Sequence, residues 1–430
     1  ADRRATFHRA NLLAEIHRQL HGIRFADPAE RITAGERTAD FAQQQCTQLT
    51  VPSRHYVPAS FRRPDGVSKF TGQAATIYTT ATLLDAESRL LAAGRATTGP
   101  TVSIQTVAAV ADAPLASNGR LMSTDQAVAV EKIATSGRVL DVLVGPAGTG
   151  KTVAMAALRT AWETEHGPGS VIGLAPSAVA AQVLADDLDI ATENTARWLT
   201  EARRVPDLAA TIAELQHKLA DAGHPATRRR LHDRIAHLRA ETNRWQVHPS
   251  QLVIVDEASL AGTFALDELV SQATYAGGKV VLVGDWAQLS AVQAGGAFGM
   301  LVADRELAPE LTDVRRFQNA WEKAASVRLR IGDTRAIDTY LRHDRIQSGT
   351  RDEVLDALYT GWKHDTDAGQ TSLMIAGDAD TVADLNRRAR ADRIAAGQVT
   401  EAGLDVIAGV AGVGDVVVTR RNDRTLTTGR

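Results

Sequence analysis

A single cysteine, Cys46, stands in 430 residues. One thiol makes neither an internal disulfide nor a thiolate metal site, so a disulfide-stapled scaffold is excluded and a reducing cytoplasm fits. Long apolar runs are missing as well. None approaches the roughly 18 residues that a spanning helix needs, which excludes a membrane-spanning protein. There is no signal peptide, internal repeat or low-complexity tract. Excess charge of one sign is also lacking: 48 Lys+Arg face 51 Asp+Glu, a formal net charge of −3. That excludes a globally basic nucleic-acid coat and leaves room for a local basic groove. The chain opens at Ala1 without a methionine and stops at Arg430 inside a patterned segment, so an excised piece of something longer is expected. What is present is ordinary globular composition, 44 % hydrophobic and 23 % charged, long enough for roughly three domains at about 150 residues each.

Residues 1 to about 50 alternate short helical patterns with loops. His17 and His21 lie four apart on one helix; without a third ligand nearby they read as solvated face residues. Pro52, Pro58, Pro64, Gly66 and Gly72 make residues 51–75 a turn-rich stretch where a small β element is expected. Residues 79–93 read as a capped amphipathic helix with Leu83, Leu84, Leu90 and Leu91 inward. The small, polar run from Gly94 to Asn118 then marks a boundary, giving a mixed α/β N-terminal domain over residues 1–117.

From Leu121 the pattern carries chemistry. Ser123–Ile133 reads as a capped helix and Val139–Val144 as a buried strand. Then comes Gly145-Pro146-Ala147-Gly148-Thr149-Gly150-Lys151-Thr152, a complete GxxxxGK[ST], leading into an alanine-rich helix. The strand delivers the loop to a sheet edge, glycines let backbone N–H groups curl around phosphates, and the helix N-terminus adds its dipole. Lys151 then reaches the β- and γ-phosphates of ATP, and the Thr152 hydroxyl ligates Mg²⁺.

A second apolar strand, Leu252–Val255, runs straight into Asp256 and Glu257. Asp256 is expected to hold the metal and Glu257 to polarise the attacking water, since γ-phosphate hydrolysis is mostly positioning plus charge stabilisation. A third, starting at Lys279, ends in Asp285 and Gln288, and a glutamine beside a phosphate pocket suits a γ-phosphate sensor. Three buried strands in series with such ends point to a nucleoside triphosphatase.

Between Thr200 and Trp245 two apolar stripes, Leu208/Ile212/Leu215/Leu219 and Leu231/Ile235/Leu238, give a helical hairpin. Its second arm carries Arg228, Arg229, Arg230, Arg234, Arg239 and Arg244. Two readings stay open: contact with DNA phosphates, or a solvated face balanced by the hairpin's acids. Beyond Arg316 the chain reads as helices with one strand, Ser372–Ala376, and a helix over Asp378–Ala396. The expected fold is α/β: the N-terminal domain, a P-loop RecA-like parallel-sheet ATPase domain over 118–312 with the hairpin at about 200–245, and an incomplete second RecA-like domain over 313–430.

The residues Asp256–Ser259, GDWAQLSAV at Gly284–Val292 and LTDVRRF at Leu311–Phe317 resemble motifs II, III and IV of superfamily 1 helicases of the RecD-like, 5′-to-3′ branch. GDWAQLSAVQAGGAFGML and the upstream TTATLLDAESRLL are similar to the helicase region of conjugative relaxases of the TraI/TrwC (MobF) type, especially actinobacterial ones. The resemblance covers roughly residues 60–430. It implies that Gln126 is the adenine-reading glutamine and Arg316 the arginine finger, with Arg315 the weaker candidate. It also implies that Pro176, Ser177, Thr195 and Arg197 lie on the single-strand path. The implied activity is ATP- and Mg²⁺-dependent translocation on single-stranded DNA with unwinding, during plasmid transfer. The implied setting is the cytoplasm, alongside relaxosome and type IV secretion proteins.

No paired tyrosines or His-x-His strand occur, so nicking is not carried over. Motifs V and VI would come after a β-barrel insertion whose entry resembles Gly414–Thr419; without motif VI, good nucleotide binding and poor hydrolysis are expected. Two alternatives remain: a RecD-like repair helicase with no relaxase, and a non-catalytic single-strand-binding module. Intact Lys151, Thr152, Asp256, Glu257 and Gln288 argue against the second.

Overall fold

A computed structural model describes residues 4–50, 58–62, 68–69, 76–114, 121–288, 295–406 and 409–417. They divide into two units, Ala1–Thr334 and Arg335–Arg430. The first begins with helices α1 (Arg9–Gln19) and α2 (Pro28–Gln44), the latter started by Pro28 and by Asp27, whose carboxylate caps the Glu30 N–H. Arg9 ties the pair together through Glu36 at 2.5 Å and Asp40 at 2.7 Å. Strands β1 (Cys46–Gln48) and β2 (Tyr78–Thr80) pair antiparallel. Most of the β element expected over 51–75 falls outside the described residues.

Helix α3 (Ala81–Arg95) is capped by Thr80 and buries Leu83, Ala86 and Leu90, with Leu84 and Leu91 half-buried. Helix α4 (Ile104–Ala111) is capped by Ser103. Where the sequence suggested a boundary, both helices pack onto the elements C-terminal to it: Leu90 shares a core with Leu140 and Val142, and Val107 shares one with Ala129 and Leu158.

That core is built on alternating helices and strands: α5 (Thr124–Thr135), β3 (Leu140–Val144), α6 (Lys151–His166), β4 (Val171–Ala175), α7 (Ala178–Leu188), β5 (Ala191–Asn194) and α8 (Thr195–Ala202). Next come α9 (Val205–Asp221) and α10 (Pro225–Arg244), then β6 (Leu252–Val255), α11 (Thr263–Ala276), β7 (Lys279–Gly284), α12 (Ala297–Asp304) and α13 (Ala320–Arg330). The five strands β3–β7 form one parallel sheet in the order β3-β7-β6-β4-β5. Every residue of β3, β4, β6 and β7 is buried. This is why these strands read as continuous apolar runs: helices cover both faces of a parallel sheet. One layer packs Trp162, Met155 and Leu158 against it, the other Phe298, Trp198 and Leu266. Because all five strands run the same way, the segments after Val144, Ala175, Asn194, Val255 and Gly284 leave from one edge.

The opposite edge is tied by charge. Lys279 and Asp141 are fully buried and 3.0 Å apart; Lys279 also donates to Ser136 Oγ and Arg138 O, and Arg305 pairs with the other Asp141 oxygen. A buried pair persists when its remaining hydrogen-bonding groups are also met.

Helices α9 and α10 form the expected hairpin around Ile212, Ile235 and Leu238, with Leu208, Leu215 and Leu219 against them. The second unit holds α14 (Arg335–Arg342), α15 (Arg351–Asp367), α16 (Ala379–Ala395, capped by Asp378) and the antiparallel strands β8 (Gly403–Val406) and β9 (Gly409–Gly412). The strand expected at Ser372–Ala376 does not form. Leu373 and Ile375 are more than 80 % exposed, and no described strand pairs with the segment. An apolar run becomes a strand only when a neighbouring ladder takes its backbone groups.

Candidate nucleotide site and single-strand path

The phosphate-binding loop is shaped by its glycines and pinned at both ends. Gly145 N–H donates to Gly284 O at 3.0 Å, fixing the loop to the end of β7. Gly148 and Gly150 have φ of +84° and +81°, a left-handed conformation that side chains resist. Lys151 opens α6 and its ammonium folds over the loop, donating to Gly145 O at 3.0 Å; Thr149 Oγ donates to Pro146 O. Ala147 is exposed, Pro146 and Gly148 half-exposed, and Thr152 half-buried one residue into the helix. Backbone N–H groups at a helix start make this an anion cradle.

A second segment lies along the loop. Val144 N–H donates to Pro309 O and Leu311 N–H to Val144 O, so residues 309–311 run beside the end of β3 in a parallel bridge. Arg315 N–H then donates to Gly148 O at 2.7 Å. A Cβ placed on Gly148 would fall 2.5 Å from the Arg316 Cβ, so Gly148 is also the residue that lets Arg316 approach. The anchor of this segment is Asp125, which sequence reasoning missed. Its carboxylate accepts the N–H groups of Thr312 at 3.1 Å and Asp313 at 3.3 Å. Burial works to raise its pKa, but hydrogen bonds from Ser123, Thr312, Asp313 and Gln126 outweigh that and hold it below the usual aspartate value.

Gln126 is 1 % exposed. Its oxygen accepts Ser123 N–H, and its nitrogen donates to Thr149 O and Gly150 O at 3.3 Å each. In this state the glutamine braces the phosphate loop from behind.

Asp256 follows β6. Burial pushes its carboxyl up from the usual aspartate range; the Glu257 N–H at 2.9 Å and the Lys151 ammonium pull it back. Glu257 sits at φ +49°, ψ +40°, a left-handed conformation for a residue with a full side chain. Such strain concentrates at functional sites. The Ser259 hydroxyl, just beyond, is buried with no hydrogen-bond partner among the described residues. An alcohol on the first turn of α6 and a desolvated carboxylate at the end of β6 are hard oxygen donors that fit Mg²⁺.

At the end of β7, Asp285 is 2 % exposed and held by Arg330 at 2.9 Å. Arg330 also reaches Glu310 at 3.3 Å and lies over the Trp286 ring at 5.1 Å. Nothing in the local sequence marks Arg330, one of two arginines on α13. Gln288 is exposed, its N–H donating to Asp285 O at 3.2 Å; Leu289–Val292 lie outside the described residues.

Two strands away are the other candidates. Ser177 Oγ caps α7 through Ala180 N–H, next to Pro176. Thr195 Oγ donates to Ala175 O at 3.0 Å and is buried, while Asn194 Nδ2 donates to Pro176 O at 2.8 Å. The Ser177 hydroxyl thus serves its own helix start, while Thr195 Oγ and Asn194 Nδ2 tie the two loops together. Arg197, by contrast, is exposed.

Against known proteins, residues 121–351 match the AAA domain family. The chain is 30 % identical over 297 residues (69 % of this chain, 23 % of the relative) to a probable conjugal transfer protein TraA of Sinorhizobium fredii. It is 31 % identical over 286 residues (66 % and 22 %) to a conjugal transfer protein TraA of Rhizobium radiobacter. It is 30 % identical over 295 residues (68 % and 23 %) to one of Agrobacterium fabrum. The chain therefore spans less than a quarter of the length of these relatives. The family match covers more than half of the chain and includes its parallel sheet, phosphate loop and Arg315–Arg316 segment: the chain belongs to the AAA domain family.

Proposed function

We propose that this chain is part of the ATP-driven motor of a conjugation protein, a motor that translocates 5′-to-3′ on single-stranded DNA and unwinds duplex ahead of it in the cytoplasm. The observation that carries the reading is the shared sheet edge. The phosphate loop, Asp256 and Asp285 leave the β3-β7-β6 side, and the Pro176 and Thr195 loops leave the adjoining β4-β5 side. Candidate nucleotide and strand-contact loops on one sheet edge suit a motor that couples hydrolysis to movement. The naming of three relatives as conjugal transfer proteins supports plasmid transfer over repair. The relaxosome and type IV secretion proteins are the partners this reading implies.

In the reaction, the loop N–H groups and Lys151 take the charge of the β- and γ-phosphates. A Mg²⁺ held by Thr152 and Asp256 would neutralise further phosphate charge. Glu257 accepts a hydrogen bond from the attacking water and receives its proton, with Gln288 orienting that water. The water oxygen bonds to the γ-phosphorus as the bond to ADP breaks. Arg316, seated beside Gly148, stabilises the charge spread over the transferring group.

The strand-binding half of the reading is tested by fluorescence anisotropy with an oligo-dT and a blunt duplex of equal length. The single strand should bind more tightly, and its affinity should differ between a non-hydrolysable ATP analogue and ADP. Equal affinity for both nucleic acids, unmoved by nucleotide, would contradict it.

A further inference from the structure

Where β5 ends, the Glu193 carboxylate is fixed by one oxygen, which accepts the Asn194 N–H at 3.0 Å. Its other oxygen faces two guanidinium groups, Arg197 at 3.2 Å and Arg244 at 3.9 Å. The two arginines come from different elements: Arg197 from the first turn of α8, Arg244 from the last residue of α10. Both lie over one indole, that of Trp245, at 5.6 Å and 4.8 Å from its centroid. Trp245 is 5 % exposed and meets buried Trp198 edge-on at 5.8 Å, so the shelf beneath the arginines is rigid. The arginine side chains themselves are 59 % and 65 % exposed. Neither guanidinium hydrogen-bonds a described residue.

Two like charges on one ring, offset by a single carboxylate, leave a net positive charge and two forks of N–H donors turned to solvent. Guanidinium is weakly hydrated, stacks on indole and matches phosphate oxygens with paired donors. We propose that Arg197 and Arg244 form a two-arginine grip for one backbone phosphate of single-stranded DNA, seated on Trp245. Glu193 is the internal anion that orients the pair and yields to the phosphate. This rests on the reading of the β4-β5 edge as the strand path. It also assigns the hairpin's contact to its base: Arg228 to Arg230 lie roughly 21–24 Å along α10 from Arg244.

The test uses the 430-residue chain and a fluorescent oligo-dT, titrated over a range of salt. Arg244→Ala should weaken binding about three- to tenfold and reduce the steepness of the log–log salt dependence by about 0.7, the value of one single-strand phosphate contact. Arg244→Lys keeps charge without the fork or the stacking and should fall between the two. Glu193→Gln keeps the acceptor for Asn194 N–H and removes the competing charge, so binding should tighten about threefold at low salt. A Glu193 needed to hold the local fold would weaken binding when neutralised, and a distant charge effect would tighten the Arg244→Ala variant equally, whereas the grip requires less tightening in that background. If the unaltered chain binds while Arg244→Ala leaves affinity and salt dependence unchanged, or Glu193→Gln fails to tighten, the grip is overturned and the path survives. If the unaltered chain binds no oligo-dT, the path itself is wrong and the grip falls with it.

Discussion

Lys151→Ala is expected to lower ATP turnover by at least about 10²-fold, the scale on which a single charge-stabilising donor acts in comparable sites. The fold should survive the change. The lysine is half-buried at the start of α6, and its side-chain hydrogen bond to Gly145 O involves a loop already held by Gly284 O. Alanine favours the helix. Phosphate release at saturating Mg²⁺ and ATP, with circular dichroism confirming the helical content, separates the two effects. Near-normal turnover by a folded variant would refute the phosphate-loop assignment.

Glu257→Gln is expected to leave nucleotide binding in place while hydrolysis falls about 10²- to 10⁴-fold, the span of a general base. Glutamine keeps the size and much of the hydrogen bonding, and loses the charge that takes the water's proton. The neighbouring Asp256 keeps its place, since the Glu257 backbone N–H still donates to it. Calorimetry on Mg²⁺ and an ATP analogue reads the binding, and phosphate release reads the chemistry. Lost binding would make Glu257 a metal ligand or a structural residue instead.

The parts of this architecture legible in the sequence are those written locally. A strand buried on both faces is an apolar run, and the candidate site residues follow it within a few positions: Gly145–Thr152 after β3, Asp256–Glu257 after β6, Asp285 after β7. Caps at Thr80 and Asp378 and the hairpin stripes obey the same logic. The parts that stayed hidden join distant residues. Asp125 meets Thr312 across 187 positions and Lys279 meets Asp141 across 138. Arg330 meets Asp285 across 45. No spacing rule encodes such pairs; each depends on the sheet order that brings its elements together. Ser372–Ala376 failed for a related reason, because strand pairing is a property of two segments. The resemblance implies Ser177 and Thr195 on the strand path; their hydroxyls bond the backbone, a contact that the motif spacing does not encode.

The central claim is that this chain hydrolyses ATP in response to single-stranded DNA. Steady-state phosphate release by the 430-residue chain, with Mg²⁺ and increasing oligo-dT, tests it most directly. The account predicts slow turnover without DNA that rises several-fold and saturates as the single strand binds, with blunt duplex far less effective. Turnover that is absent at every DNA concentration, or identical with and without the strand, would contradict it.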